Sequence, residues 1–599
     1  MTSLRAGLTL GQWTDHCRQH PQQLADILNQ WLATFDPQDP AWISVATPAQ
    51  ITAQVSEILP RFLQDPTSLP LFGVLFAVKD NIDVAGFDTT AACPAFSYVA
   101  DNDAEVVARL KSAGAIVAGK TNLDQFATGL VGTRSPYGEV PNSFNSEYVS
   151  GGSSSGSASV VARGLVPFSL GTDTAGSGRV PAGFNNIVGL KPTKGWLSAS
   201  GVVPACRLID TISVFALTTE DAWQVASLAG GYDSGDSYSR SSPHTAPAAL
   251  PAAPKFAIPA NPEFFGDEQA RAAWDTALTD LQACGATLSA IDFTLFHRLA
   301  EQLYNGPWVA ERTAAVGEML QHPDKLDPVV YGIVRQGEKF TATDAWNAEY
   351  LRSELSRQIQ QTLAQFDGLV VPTSPTIRTR QQMQQEPVKY NAQFGTYTNF
   401  TNLADLCALA LPAGFRADGL PAGITLIAPA WYDRALAGFG LRWQQQQQLS
   451  PGATGLPAPE TATSLPASAD HVRIAVVGAH LTGMPLNYQL TTRQAVLVEE
   501  TTTAAHYRLY ALSGGAIKKP GLVRDDSGAA IIVELWDIPL ARYGEFVAEI
   551  PAPLGIGTLT LADGRTVQGF VCEPYALSNA LDITETGGWR RWLSSQETR

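Results

Sequence analysis

The stretch Leu170-Gly-Thr-Asp-Thr-Ala-Gly-Ser-Gly-Arg179 decides the reading of this chain. A serine set among glycines in a tight turn can present its hydroxyl and aim successive backbone N–H groups at one point, which is what an oxyanion hole requires. The glycines do not fall where the strand-to-helix nucleophile elbow of α/β-hydrolases needs them. Upstream lies a second Gly/Ser-rich run, Ser150-Gly-Gly-Ser-Ser-Ser-Gly-Ser157. A flexible loop fits it poorly, because small and apolar residues follow at once. A phosphate-binding loop would need Gly-Lys-Ser/Thr after its glycines, and Gly156-Ser157-Ala158 stands there instead.

Further upstream, Gly73-Val-Leu-Phe-Ala-Val78 reads as a buried strand that ends on Lys79-Asp80. Burial disfavours the ammonium form of a lysine and can leave a neutral amine that accepts a proton. The alternative is a structural lysine paired with adjacent Asp80. The eight histidines are His16, His20, His244, His297, His322, His471, His480 and His506, so none falls between residues 21 and 243. A nucleophile in the Gly/Ser-rich core has no imidazole near it in sequence, although a distant one could fold in.

Around these segments, short apolar strands alternate with helical patterns, which predicts an α/β unit with a mixed sheet. Helical spacing runs over Leu24, Ile27, Leu28, Trp31, Leu32 and over Ile51, Val55, Ile58, Leu59; Val106 to Ser112 predicts a helix and Ala115 to Gly119 a strand. Residues 231–254 read as a surface excursion. Residues 306–320 predict a helix that starts at Gly306-Pro307. Residues 450–470, rich in Pro, Ala, Thr and Ser, have linker composition. Beyond them, apolar runs at 472–477, 529–535 and 555–561 predict a small β-rich α+β domain. The expected organisation is therefore residues 1–449, a linker over 450–470, and a C-terminal domain over 471–599.

The composition narrows the functional classes. A formal net charge of −16 over 599 residues, with no basic cluster beyond Lys518-Lys519, argues against nucleic-acid binding. No run approaches the roughly 20 apolar residues a membrane helix needs. Met1 to Gly11 does not read as a secretory signal. Six scattered cysteines with no Cys-x-x-Cys pair point to a reducing compartment, with the cytoplasm as the default, and no metal-ligand spacing stands out.

Taken in order, Lys79, Gly-Gly-Ser153-Ser-Ser-Gly and Gly-Thr-Asp-Thr-Ala-Gly-Ser177 resemble the amidase signature family. Gly119-Lys-Thr-Asn-Leu-Asp-Gln-Phe126, Gly189-Leu-Lys-Pro-Thr193 and Val371-Pro-Thr-Ser-Pro375 extend the resemblance over roughly residues 20–440. It implies a mixed central sheet flanked by helices. It also implies that Ser177 is the nucleophile, Ser153 a relay serine on a cis peptide, and Lys79 the base. The N–H groups of Thr174, Ala175, Gly176 and Ser177 would form the oxyanion hole, while Asp173 and Arg179 hold the loop and Ser154 and Ser155 are structural.

The segment Leu303-Tyr-Asn-Gly-Pro-Trp-Val-Ala-Glu-Arg312 resembles the substrate-binding segment of one subfamily, the allophanate hydrolases. Tyr304 and Arg312 would then bind a small anionic amide, for which a guanidinium is the best bidentate partner. Val476-Val-Gly-Ala-His-Leu-Thr-Gly-Met-Pro-Leu-Asn487 and Glu534-Leu-Trp-Asp-Ile-Pro539 resemble the domain appended to that subfamily, of γ-glutamylcyclotransferase-like fold. The resemblance implies hydrolysis of allophanate to ammonia and carbon dioxide in two steps, with His480 a candidate in the second. It further implies a homodimer, and with no metal constellation in the sequence the expected chemistry needs no cofactor. Another amidase of the same family, or one chain of an amidotransferase, is the rival reading.

Overall fold

The computed structural model describes residues 4–460, 462, 465, 470–515 and 517–597. Its contacts divide the chain into two compact units, Met1–Ser241 with Ala253–Thr463, and Ser242–Ala252 with Ser464–Arg599.

The first unit is built on an eleven-stranded mixed sheet. Strand Leu75–Lys79 lies between Ile116–Thr121 and Phe168–Asp173, parallel to both. All three strands are buried along their whole length, as the near-continuous apolar runs of covered parallel strands require. Phe76 stacks on Phe168 with ring centroids 5.0 Å apart. In an α/β sheet, ligands bind beyond the carboxyl ends of the strands. The parallel pairing puts the carboxyl ends of Leu75–Lys79 and Phe168–Asp173 side by side, so Lys79 and Thr172 arrive at one place. The sheet continues through antiparallel strands Thr211–Ala216, Val188–Lys191, Leu406–Phe415 and Pro421–Pro429. Strand Trp42–Val45 forms one edge and Thr287–Ile291 the other.

Helix Pro48–Gln64 starts at Thr47, whose side chain and that of Gln50 bond reciprocally to each other's backbone N–H. This satisfies two donors that a helix start leaves open. The helix expected over 306–320 is shorter and split. Helix Thr294–Asn305 ends at Gly306, helix Val309–Val316 follows, and Gly317, at φ 55°, stops it before a 3-10 turn over Gly317–Gln321. Pro307 therefore precedes the helix rather than occupying its first turn. The break has a use: it sets Tyr304 and Arg312 on consecutive helices that fold back on each other.

The second unit has a five-stranded sheet ordered Val496–Thr502, Ile532–Pro539, His471–Val476, Thr566–Cys572, Leu554–Thr560, and a three-stranded one. Its core packs Ile474, Leu535, Phe546, Phe570 and Trp589. The excursion at 242–252 joins this unit: His244 Nδ1 lies 2.6 Å from Asp470, and His471 Nε2 lies 2.8 Å from the Ala246 carbonyl. The first part of the Pro/Ala-rich segment is fixed to the first unit, where Asn186 Nδ2 donates to the carbonyls of Ser450 and Gly452. No described helix is long and apolar enough to cross a membrane.

Candidate active site

Lys79 is fully buried, yet it pairs with no carboxylate among the described residues. Its Nζ lies 2.7 Å from Ser153 Oγ and 2.7 Å from Thr172 Oγ1. Asp80, the neighbour that could have neutralised it, turns away to Thr90 and to the buried Lys120, 3.5 Å distant. Burial pushes the Lys79 ammonium down to about 7, against the opposing pull of Asp124, Asp210 and Asp173. An amine between two hydroxyls can donate to Thr172 while its lone pair accepts from Ser153. The sequence reading passed over Thr172, although it lies inside the quoted motif.

Ser153 follows the one non-proline cis peptide among the described residues, Gly152–Ser153, and is fully buried. Its carbonyl accepts from the Asp124 N–H at 3.1 Å. The Asp124 carboxylate in turn collects the N–H groups of Val131, Gly132, Thr133 and Arg134. Gly152 must be glycine here, because a Cβ would come within 2.1 Å of Asp124 Oδ2. Ser154 Oγ donates to the Thr172 carbonyl and Ser155 Oγ to that of Asn122, so both hydroxyls are engaged in holding backbone.

Ser177 is 2% exposed and its hydroxyl has no hydrogen-bond partner among the described residues; no hydrogen bond joins it to Ser153. Its loop is held from behind. Arg179 grips Asp173 through Nε and Nη2, both at 2.9 Å and fully buried. Thr398 Oγ1 donates to the Ala175 carbonyl at 2.6 Å, and Asn402 Nδ2 to the Asp173 carbonyl at 2.8 Å. With those carbonyls drawn outward, the N–H groups of Thr174, Ala175 and Ser177 carry no partner among the described residues. Gly176 departs from the expected donor set: its N–H donates to Asp173 Oδ1 at 3.0 Å. The carboxylate that braces the loop consumes that donor.

Tyr304 and Arg312 touch each other. Arg312 Nη2 lies 3.1 Å from the Tyr304 hydroxyl, and the guanidinium sits 5.0 Å from the ring centroid. Arg312 is 1% exposed, its Nη1 donates to Ala127 and Thr128, its Nε is buried without a partner, and it forms no ion pair among the described residues. A buried cation without a counter-ion is costly unless an anion visits. Its charge also favours the neutral form of Lys79. Missed in the sequence was Arg134, buried beside it and donating to the carbonyls of Thr128 and Pro387.

In the second unit, His480 lines a cavity of about 290 Å³. Glu534 of the quoted C-terminal motif is engaged structurally, bonding Thr482 and Arg590.

The amidase family model matches residues 30–437, and the allophanate hydrolase C-terminal domain model matches 472–594. The chain belongs to the amidase family, whose mixed-sheet fold it shares. It is 43% identical to the urea amidolyases of Lachancea kluyveri and Saccharomyces cerevisiae over 98% of its own length, but it spans only 33% of theirs. Among solved structures, the Kluyveromyces lactis allophanate hydrolase matches with a TM-score of 0.86 and 42% identity, covering 99% of this chain and 100% of that one. A glutamyl-tRNA(Gln) amidotransferase chain of Thermotoga maritima matches more loosely, with a TM-score of 0.62 and 25% identity over 74% of this chain and 96% of that one.

A test of the surroundings of Lys79 follows from its two hydroxyl partners. Thr172→Val keeps the shape but leaves a Lys79 N–H unsatisfied, at a cost of about 1–3 kcal/mol. It is expected to lower kcat roughly 10- to 100-fold with little change in KM, and Thr172→Ser to restore most of the rate. Steady-state kinetics of the two variants check this.

Proposed function

We propose that this chain hydrolyses allophanate, the first unit releasing ammonia by a Ser–cis-Ser–Lys relay and the second assisting decarboxylation of the product. The observation that carries the reading is the Lys79 amine, buried between two hydroxyls with no carboxylate bonded to it among the described residues. Neutral Lys79 takes a proton from Ser153 as Ser153 takes one from Ser177, and Ser177 attacks the amide carbonyl. The relay closes when substrate brings the open Ser177 hydroxyl against Ser153. The N–H groups of Thr174, Ala175 and Ser177 receive the developing oxyanion. The return leg protonates the departing nitrogen, without which the leaving group would be an amide anion. Water then releases N-carboxycarbamate.

Arg312 and Tyr304 support the choice of substrate. Allophanate carries a carboxylate, and Arg312 offers a buried guanidinium whose Nε is unclaimed. The likeness to allophanate hydrolase along the whole chain supports it as well. In the second unit His480 is the candidate for the decarboxylation step. Six free thiols fit a reducing, cytoplasmic setting, and we carry a homodimer forward from the family likeness; light scattering tests it.

The purified chain, given allophanate, is expected to release ammonia and carbon dioxide without partner chains. A poor rate on allophanate beside a good one on aryl or fatty amides would overturn the substrate; a need for partner chains would favour an amidotransferase role. Arg312→Ala is expected to raise KM roughly 10²-fold, which corresponds to about 2.7 kcal/mol, with a smaller effect on kcat, because ground-state binding of the carboxylate is lost.

A further inference from the structure

Strand Phe168–Asp173 runs antiparallel to strand Thr211–Ala216, and the register pairs Asp173 with Thr211. The residues one step beyond that pair, Thr174 and Asp210, are therefore neighbours, and Thr174 Oγ1 donates to Asp210 Oδ1 at 2.5 Å. The same carboxylate closes the turn that leads into its strand. The Ala205 N–H donates to Oδ2 at 2.8 Å, and the Cys206 N–H reaches both oxygens at 3.1 Å. Both oxygens are engaged, so Asp210 holds the protein rather than the substrate. Asn402 Nδ2 fastens the same two segments again, through the carbonyls of Asp173 at 2.8 Å and Ile209 at 3.0 Å. On its outer side the turn meets helix Val309–Val316: Glu311, one residue before Arg312, accepts from the Leu208 N–H at 3.1 Å. Asp210 is buried, and no cation bonds to it among the described residues. Its charge reaches two cations at longer range, Lys79 and Arg312.

Resting on the relay reading above, we propose that Asp210 is a positioning residue of the hydrolysis: it locks Thr174 so that the Thr174 N–H meets the oxyanion, and it is the counter-charge that Lys79 and Arg312 share.

The two roles come apart chemically. The side-chain bond fixes the residue whose N–H has no partner among the described residues. A donor aimed in advance costs no reorganisation when charge develops on the carbonyl oxygen. The counter-charge acts on other quantities. Asp124, Asp210 and Asp173 favour the ammonium form of Lys79, while burial and Arg312 oppose it. Thr174, the N–H groups of Cys206 and Ala205, and Arg312 favour the Asp210 carboxylate, while burial opposes it. Tyr304 and Cys206 are the other titratable groups that bear on Arg312. Without the Asp210 charge, Lys79 gives up its proton at lower pH. Arg312 is then offset by less negative charge, and an incoming carboxylate meets less repulsion.

Asp210→Asn in the full chain isolates the charge. The amide oxygen can accept from Ala205 and Cys206, and the amide NH2 can donate to Thr174 Oγ1, since a hydroxyl accepts as well as donates. With allophanate as substrate, the midpoint of the kcat/KM profile, near pH 7 in the unaltered chain, is expected to fall by roughly one pH unit. KM is expected to fall roughly threefold to tenfold. Thr174→Val isolates the hydrogen bond. Its kcat is expected to fall roughly 10- to 100-fold, with KM and the midpoint unmoved, and Thr174→Ser to restore most of the rate. Damage to the fold alone would lower kcat and leave the Asp210→Asn midpoint where it was. A midpoint unmoved or raised in Asp210→Asn, or full kcat in Thr174→Val, would overturn the proposal. Should Asp210→Asn fail to fold, the Thr174 pair decides: kcat lost in Val and regained in Ser upholds the positioning, and any other pattern overturns it. The relay reading fails on a different result, an unaltered chain with no limb near pH 7 and a Lys79→Met chain that is equally fast.

Discussion

Ser177→Ala is expected to reduce ammonia release from allophanate by roughly 10⁴- to 10⁶-fold in kcat while leaving KM near its original value, because removal of a nucleophile takes away covalent catalysis and spares the binding groups. The surroundings make the variant a clean one. The Ser177 hydroxyl has no hydrogen-bond partner among the described residues to orphan, and the loop that carries it is braced by Arg179, Thr398 and Asn402 through Asp173 and two backbone carbonyls. Thermal stability should therefore barely move. The residual rate reports what the N–H groups of Thr174, Ala175 and Ser177 and the Arg312 cation supply without the attacking oxygen. A fluorophosphonate probe should label the unaltered chain at Ser177 and fail to label the variant. Undiminished turnover, or labelling at another serine, would remove Ser177 from the reaction.

The parts of the site legible in the sequence are those whose local pattern forces a position. Five apolar residues ending on Lys79 can only be a covered strand with a buried amine at its end, and glycines around Ser177 can only be a tight loop. The strand starts two residues later than predicted because Gly73, at φ 75°, belongs to the preceding turn. What escaped depends on partners far away in the chain. Thr398 and Asn402 reach the Ser177 loop across more than two hundred residues of sequence, and neither belongs to a pattern of its own. The loss of Gly176 as a donor depends on which way the Asp173 carboxylate folds, and residue order does not encode that. The membership of Ser242–Ala252 in the second unit is likewise settled by His244, His471 and their distant partners. Tyr304 and Arg312 stand out only through the resemblance of their segment to that of the allophanate hydrolases; Arg134, which grips the same loop at Thr128, sits in an unremarkable run.

Lys79→Met couples activity to stability with opposite signs, and that pairing separates a catalytic lysine from a structural one. As the base of the relay, Lys79 is worth about 10²–10⁴-fold in rate, and Met fills the same volume without a lone pair. In the unaltered chain only the neutral amine works. With its folded value near 7, kcat/KM should climb with pH, reach half its plateau close to pH 7, and level off above; the Met variant should show a low rate without that limb. The stability effect follows from the same shift. Between pH 7 and the ordinary lysine value of 10.5, the unfolded chain holds a proton that the folded chain has released, so this group makes folding more favourable as pH rises through that window. Below pH 7 the fold bears the full cost of a buried ammonium, which Met does not have. Lys79→Met should therefore melt higher than the unaltered chain at pH 6, and the gap should narrow by pH 9. Melting curves at the two pH values, beside the rate profile, give the result. A structural lysine would give the reverse, a variant that melts lower and keeps its pH profile.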